Sequence, residues 1–306
     1  MKWHFLILLI AFCSCGNSEK DAGDNLPVEI DFYVAEKKRI YMDELFDKIE
    51  VIPLETTPDC LFQDYPWIAG ITDGNVLMKN DFVGACLFSR KEGRFIHNVG
   101  KKGQGPDEYI LVGGTFCKEK NLTYANRGNT WIGINIETNK VEERVKKPYF
   151  TNLKIAGGVD NPYRLNDSLY MGYINNITGD IKYKIAVFNR NGEAVHLYPN
   201  HLLYPKKNQN EFIYVPGIFF RYKKKLCFYS GIVMDTIYTI KDTYLQARYA
   251  FHFNKKGFPY ENMDSQDFSI LDYTTLRRFM EYDNKLLFTY RAGSFGEGVG
   301  FYDKGK

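Results

Sequence analysis

The feature that most constrains this chain is a repeated alternation of short apolar runs and polar turns. Trp67 to Thr72 leads into the turn Asp73-Gly74-Asn75 and then Val76 to Lys79. Ala85 to Ser89, the turn Lys91-Glu92-Gly93 and Arg94 to Val99 repeat that plan. It returns over 185–198 around Arg190-Asn191-Gly192-Glu193, and over 279–290 around Asp283-Asn284-Lys285. Gly- and Asn-bearing turns between alternating runs signal hairpins. Short strands with turns roughly every 8–12 residues belong to a sandwich, barrel or propeller. Here the units recur about every 40 to 50 residues, the span of a four-stranded propeller blade. The expected fold is therefore all-β, a β-propeller with about five blades, near 67–108, 109–150, 151–205, 208–255 and 264–306. Phe268 to Glu281 reads as the only helix of any length, and Tyr41 to Asp47 as a short helical or turn segment.

Composition agrees. Aromatic residues make up 16% of the chain, with 23 Tyr and 23 Phe, and aromatics suit a half-buried pleated surface. The net charge of +3 is small and spread out, which argues against a nucleic-acid partner, since that needs basic residues clustered on one face. The densest basic run, Lys223-Lys224-Lys225, reads as a turn before the apolar Leu226 to Tyr229. Cys60, Cys86, Cys117 and Cys227 have no CxxC spacing and read as buried thiols acting as small hydrophobes. The five His show no zinc-ligand spacing, so neither a metal site nor a cofactor is predicted. No GxSxG elbow is present, and Gly293 to Gly298 reads as a Gly-rich turn. Trp67, Trp131 and Tyr163 are candidate sugar contacts, weighed against ordinary packing roles.

The N-terminus carries a different signal. Met1 to His4 holds one positive charge, Phe5 to Phe12 is unbroken apolar sequence, and a polar stretch follows Cys15. A basic start, a short apolar core and small residues at the cleavage site describe a secretory signal. The apolar run is far shorter than the roughly 20 residues of a membrane-spanning helix. Ser14-Cys15 resembles a bacterial lipobox, with Cys15 as the lipid acceptor. Phe12 departs from the usual Leu or Val there, and Cys13 is a rival acceptor. An ordinary signal peptide with incidental cysteines is the alternative. The expected layout is a signal peptide over 1–15, a flexible tether over 16–30 and a propeller over 31–306.

One segment is more specific than the rest. Phe88-Ser89-Arg90-Lys91-Glu92-Gly93-Arg94-Phe95-Ile96-His97-Asn98-Val99 runs into Gly100-Lys101-Lys102-Gly103-Gln104-Gly105-Pro106-Asp107-Glu108-Tyr109. It resembles the signature of the six-bladed β-propeller lipoproteins of Bacteroidota, which are similar to NHL-repeat propellers. Ile49 to Thr56 resembles the strand that opens the domain in that family. The likeness is strong over 49–109 and weaker beyond. The loop residues Gly100, Gly103, Gln104, Gly105, Pro106, Glu108 and Tyr109 are read as structural. The glycines allow positive φ and close backbone approach, Pro106 ends strand pairing, and Asp107 and Glu108 are placed to cap open amides. A phosphate cradle is the lesser reading, because the loop is not GxxxxGK[ST] and no helix follows.

The resemblance implies a sixth blade, whereas the sequence stops inside an apparent turn at Phe301 to Lys306. A truncated chain is therefore expected, with an open or strained ring beside Glu50 to Leu54, read as the closing strand. The expected function is a lipid-anchored binding or scaffold protein of the outer membrane, at the cell surface or facing the periplasm, for a glycan, peptide or partner protein. The alternative is a propeller hydrolase or lyase using a metal in the central channel, a fold-level analogy.

Overall fold

The computed structural model describes residues 26–304 apart from 33–38, 63–64, 82, 112, 114, 151–157, 206–214, 232–233, 254–256, 260–271 and 294–295. Five antiparallel sheets follow one another along the chain as the blades of a propeller. Blade 1 holds β2 (Trp67–Ile71), β3 (Asn75–Asn80), β4 (Gly84–Ser89) and β5 (Phe95–Asn98). Blade 2 holds β6 (Phe116–Cys117), β7 (Leu122–Arg127), β8 (Thr130–Asn135) and β9 (Val141–Lys146). Blade 3 holds β10 (Val159–Arg164), β11 (Leu169–Ile174), β12 (Tyr183–Asn189) and β13 (Ala194–Pro199). Blade 4 holds β14 (Gly217–Tyr222), β15 (Lys225–Ser230), β16 (Thr236–Ile240) and β17 (Leu245–His252). Blade 5 has three described strands, β18 (Thr274–Tyr282), β19 (Lys285–Ala292) and β20 (Glu297–Asp303). All five fall inside the ranges expected from the sequence.

The turns carry the backbone geometry that their residues favour. Asn121, Asn139, Lys223 and Asp283 sit at φ 52°, 56°, 53° and 42°, in the left-handed region that Asn and Asp tolerate best. Lys223 thus occupies a two-residue hairpin turn between β14 and β15, as the basic run suggested.

Burial follows from stacking. The middle strands of blades 1 to 3 are buried on both faces: β4 is buried from Gly84 to Phe88, and β12 from Lys184 to Phe188. Each is an almost continuous apolar run because a neighbour covers each side. Separate cores join blade 1 to 2 (Leu77, Leu87, Ile132, Ile134), 2 to 3 (Tyr124, Trp131, Tyr170, Phe188), 3 to 4 (Met171, Tyr173, Ile185, Phe228) and 4 to 5 (Tyr229, Tyr249, Phe251, Phe288).

No core among the described residues joins blade 5 back to blade 1. In β19 only Leu286 and Phe288 are buried, the mark of a sheet covered on one face. Met280 (49% exposed) and Val299 (59%) lie on its other face. Across the gap, Ile68 (59%) and Ile71 (44%) on β2 are likewise uncovered.

Over β3 and β4, but not over Ile68 and Ile71 of β2, the outward face of blade 1 is covered by the segment before it. Ile52, Leu54 and Phe62 pack on Val76, Met78, Cys86 and Phe88. Glu50 to Leu54, read as a closing strand, pairs in no ladder among the described residues. It is laced to the β4–β5 turn. The Glu55 amide donates to the Gly93 carbonyl (2.8 Å), the Phe95 amide donates to Glu55 Oε2 (2.8 Å), and Arg90 pairs with Glu50 (3.3 Å).

Further upstream, β1 (Val28–Asp31) pairs parallel with β17, as a fifth strand at the rim of blade 4. Val28 to Ile30, read as the end of a tether, thus belong to the sheet. Phe32 packs on Phe253 (5.3 Å between ring centroids) and Tyr290 (4.4 Å). Past α1 (Met42–Leu45), Phe46 stacks on Tyr282 at 6.0 Å. The described parts of the N-terminal segment thus touch blades 4, 5 and 1 in turn.

The expected helix over 268–281 is also corrected. Residues 268–271 lie outside the described set, and Thr274–Tyr282 is the strand β18. A bulge between Leu276 and Arg278 places Leu276 and Phe279 on one face, three residues apart. An inserted residue in a strand thus imitates the spacing of a helix turn.

Candidate functional site

The first strands β6, β10 and β14 lie side by side at the centre of the blade array. Thr115 Oγ1 donates to the Pro162 carbonyl, and the Tyr163 and Phe219 rings lie 5.8 Å apart. Where these strands turn outward they enclose a cavity of about 270 Å³. Phe116 and Tyr163 give it aromatic walls, and Cys117 a thiol; Arg164, Arg221 and Glu119 bring charge.

The two arginines are held very differently. Arg164 has a side chain only 10% exposed and pairs with Asp167 (2.7 Å) and with Glu143 (3.5 Å). Glu143 is itself buried, accepts from Tyr124 Oη at 3.1 Å and faces Arg190 at 3.5 Å. Lys120 lies 3.4 Å from Asp167, and together Arg164 and Lys120 hold the Asp167 carboxyl below its usual range. This network joins blade 2 to blade 3, and each of its cations faces a carboxylate.

Arg221 is exposed. Its guanidinium sits over the Tyr163 ring, 5.9 Å from the centroid, and no described carboxylate pairs with it. Tyr163 is half-buried, and burial pushes its hydroxyl above the ordinary range, opposed by the nearby Arg221. Burial likewise raises the Cys117 thiol, which therefore stays protonated and is a poor nucleophile near neutrality. Glu119 meets Cys117 Sγ at 3.5 Å and faces no described cation within ion-pair distance. The cavity thus offers an aromatic face, an accessible planar cation and an acceptor carboxylate.

A profile of the DUF4934 family, described as a domain of unknown function, matches residues 27–306. The chain belongs to this family. No curated protein matches it. Among solved structures the DUF4934 chain is similar to a protein of Bacteroides fragilis predicted to be exported, at 16% identity and a TM-score of 0.68. The likeness covers 92% of this chain and 78% of that one, and it concerns the fold. Looser matches are the WD40 β-propeller domain of Doa1 (11% identity, TM-score 0.39, covering 76% of this chain and 62% of that one) and the computationally designed protein Ika8 (10%, 0.34, 76% and 57%).

The DUF4934 loop singled out from sequence lies elsewhere, between blades 1 and 2. Glu108 Oε2 accepts from the Gly105 amide (2.8 Å) and Oε1 pairs with Lys101 (2.7 Å). A side chain at Gly103 would strike the Glu108 carboxylate. Gly100 is at φ 69° and gives its amide to Asn139 Oδ1 at 2.6 Å. Arg127 Nε donates to the Gly105 carbonyl at 3.0 Å and its terminal nitrogen to that of Gln104 at 3.3 Å. Pro106 precedes Asp107, which pairs with Arg144 of blade 2. Tyr109 is buried in the core between blades 1 and 2. The loop's Lys101 is thus engaged by Glu108 and is not poised over an anion.

Of the three aromatics considered for sugar contact, Trp131 is core at 3% exposure. Trp67 is partly exposed on β2, and Tyr163 lines the cavity. Arg164, Arg221 and Glu119 were not anticipated: they come from different blades, and no local pattern marks them. Among the described residues, no group of three His, Cys, Asp or Glu is placed to hold a metal ion. Cys15 lies outside the described residues.

Proposed function

We propose that this chain is a lipid-anchored binding protein of the outer membrane, whose propeller receives a glycan, peptide or partner protein at the cavity between blades 2, 3 and 4. The observation that carries this reading is the cavity itself, with aromatic walls and an arginine that no described carboxylate neutralises. Aromatic faces with a few convergent polar groups are the usual make-up of a small-ligand site. The lipobox at Ser14-Cys15 supports the anchor. Several acyl chains give stable attachment where one is marginal.

The six-bladed reading is part of the same proposal. It is supported by apolar side chains left uncovered on the two end blades, Ile68 and Ile71 on β2 of blade 1 and Met280 and Val299 on blade 5. Averaged electron micrographs of protein extracted from its native membrane count the blades; a closed five-bladed ring overturns this part. For the anchor, Cys15→Ala is expected to leave unprocessed precursor or to release the protein from the outer-membrane fraction. An unchanged location and processing would reject it. Protease shaving of intact cells assigns the membrane face.

A further inference from the structure

We propose that the cavity between blades 2, 3 and 4 binds the acidic residue of a glycan, a hexuronic acid, with its carboxylate on Arg221 and its ring against Tyr163. This deepens the binding-protein reading and rests on it.

Arg221 sets the charge. A guanidinium has five N–H donors, so one engaged by a tyrosine hydroxyl still leaves donors that can meet a carboxylate. Its described partner is Tyr163, through the ring and a hydrogen bond with the hydroxyl, and no described carboxylate pairs with it. The neighbouring Arg164 is not available in the same way, because Asp167 and Glu143 occupy it. One cation is therefore presented to the cavity and one is spent on holding blades together.

The remaining lining selects among anions. Glu119 stands on the same cavity wall as Cys117. A carboxylate repels a bare phosphate or sulfate, yet it accepts hydrogen bonds from sugar hydroxyls. A ligand that satisfies both Arg221 and Glu119 carries a carboxylate at one end and hydroxyl donors at another, as a hexuronic acid does. Phe116 and Tyr163 supply apolar faces for the C–H side of a pyranose ring. The cavity of about 270 Å³ lies just below the range of about 300–1,000 Å³ for drug-sized ligands, so it suits one ring, not an extended chain.

The test is calorimetric titration of the full-length chain with D-glucuronate and D-galacturonate, against D-glucose, D-galactose and inorganic phosphate. At least one uronate is expected to bind at least about tenfold more tightly than its neutral counterpart, the range of a hydrogen bond to a charged group. That preference should shrink at high salt. Arg221→Gln is expected to abolish the preference while leaving the melting temperature unchanged, since Arg221 is exposed. Equal binding of acids and neutral sugars overturns the carboxylate assignment but leaves the binding-protein reading standing. So does an unaltered preference in R221Q, which would put the carboxylate elsewhere. Phosphate binding as tight as uronate overturns the sugar assignment. If none of the sugars binds, this proposal falls, while a peptide or protein ligand bound in an Arg221-dependent way would keep the cavity as a site.

Discussion

At the scale of single residues, the sequence showed polar side chains but not which of them are buried. Lys79 reads as the polar end of an apolar strand, yet it is 1% exposed between blades 1 and 2 and donates to the Tyr124 carbonyl at 3.4 Å. Burial lowers its pKa to about 7. The unfolded chain, with an ordinary lysine, holds this proton across higher pH than the native state does. Stability from this site therefore rises with pH between about 7 and 10 and is lost as pH falls through that window. The slope is at most about 1.4 kcal/mol per pH unit. Lys79→Met is expected to remove that share of the slope in urea unfolding at pH 7, 8 and 9. An unchanged slope would mean that Lys79 titrates normally. Lys184, held near a pKa of about 8 by burial, adds a similar trend to both proteins and cancels in the comparison. The turn residues, by contrast, were readable because their constraint is local: Asn and Asp tolerate positive φ wherever they stand.

At the scale of elements, hairpins were legible and long-range lacing was not. Asp73-Gly74 and Asp283-Asn284 announce turns by their own chemistry. The alternation of Ile49 to Leu54 announces only that one side is apolar. It does not distinguish a strand in a ladder from an extended segment held at a few points. Gly93 is where that segment is fastened, since it sits at φ 68° and a side chain there would overlap the Pro53 carbonyl. Gly93→Ala is expected to cost more than about 1 kcal/mol, as alanine does at positive φ. The loss should be local at first. Hydrogen exchange at the Glu55 amide should quicken before the amides of β7 or β12 respond. Uniform acceleration throughout the molecule would show that the segment is not a separately opening unit. The phase shift in β18 belongs to the same scale: a single bulge residue turned a strand pattern into an apparent helix pattern.

At the scale of the whole molecule, the repeat length fixed the propeller and the approximate place of each blade. It did not predict that blade 4 would gain β1, or that Ile52 and Leu54 would cap blade 1. Those pairings depend on where the N-terminal segment docks, which no period encodes. The uncovered apolar residues of β2 in blade 1 and of blade 5 carry a prediction of their own. Replacing Ile68 by Glu and Met280 by Lys together is expected to reduce binding of a hydrophobic dye. It should alter stability by no more than about 0.5 kcal/mol per site, as at ordinary surface positions. A cost of about 2 kcal/mol or more at either site would mean that the face is covered in solution. Both measurements need only the purified chain, by fluorescence titration and thermal melting.

The parallel pairing of β1 with β17 bears on mechanics. Val28 through Asp31 align with Tyr249 through His252, so both strands run the same way at the rim. A pull on the N-terminus directed along β1 slides it against β17 and strains the slanted ladder bonds together. An outward pull would peel them one at a time. Held from its first residues, the molecule would resist tension along the rim more strongly than tension away from it.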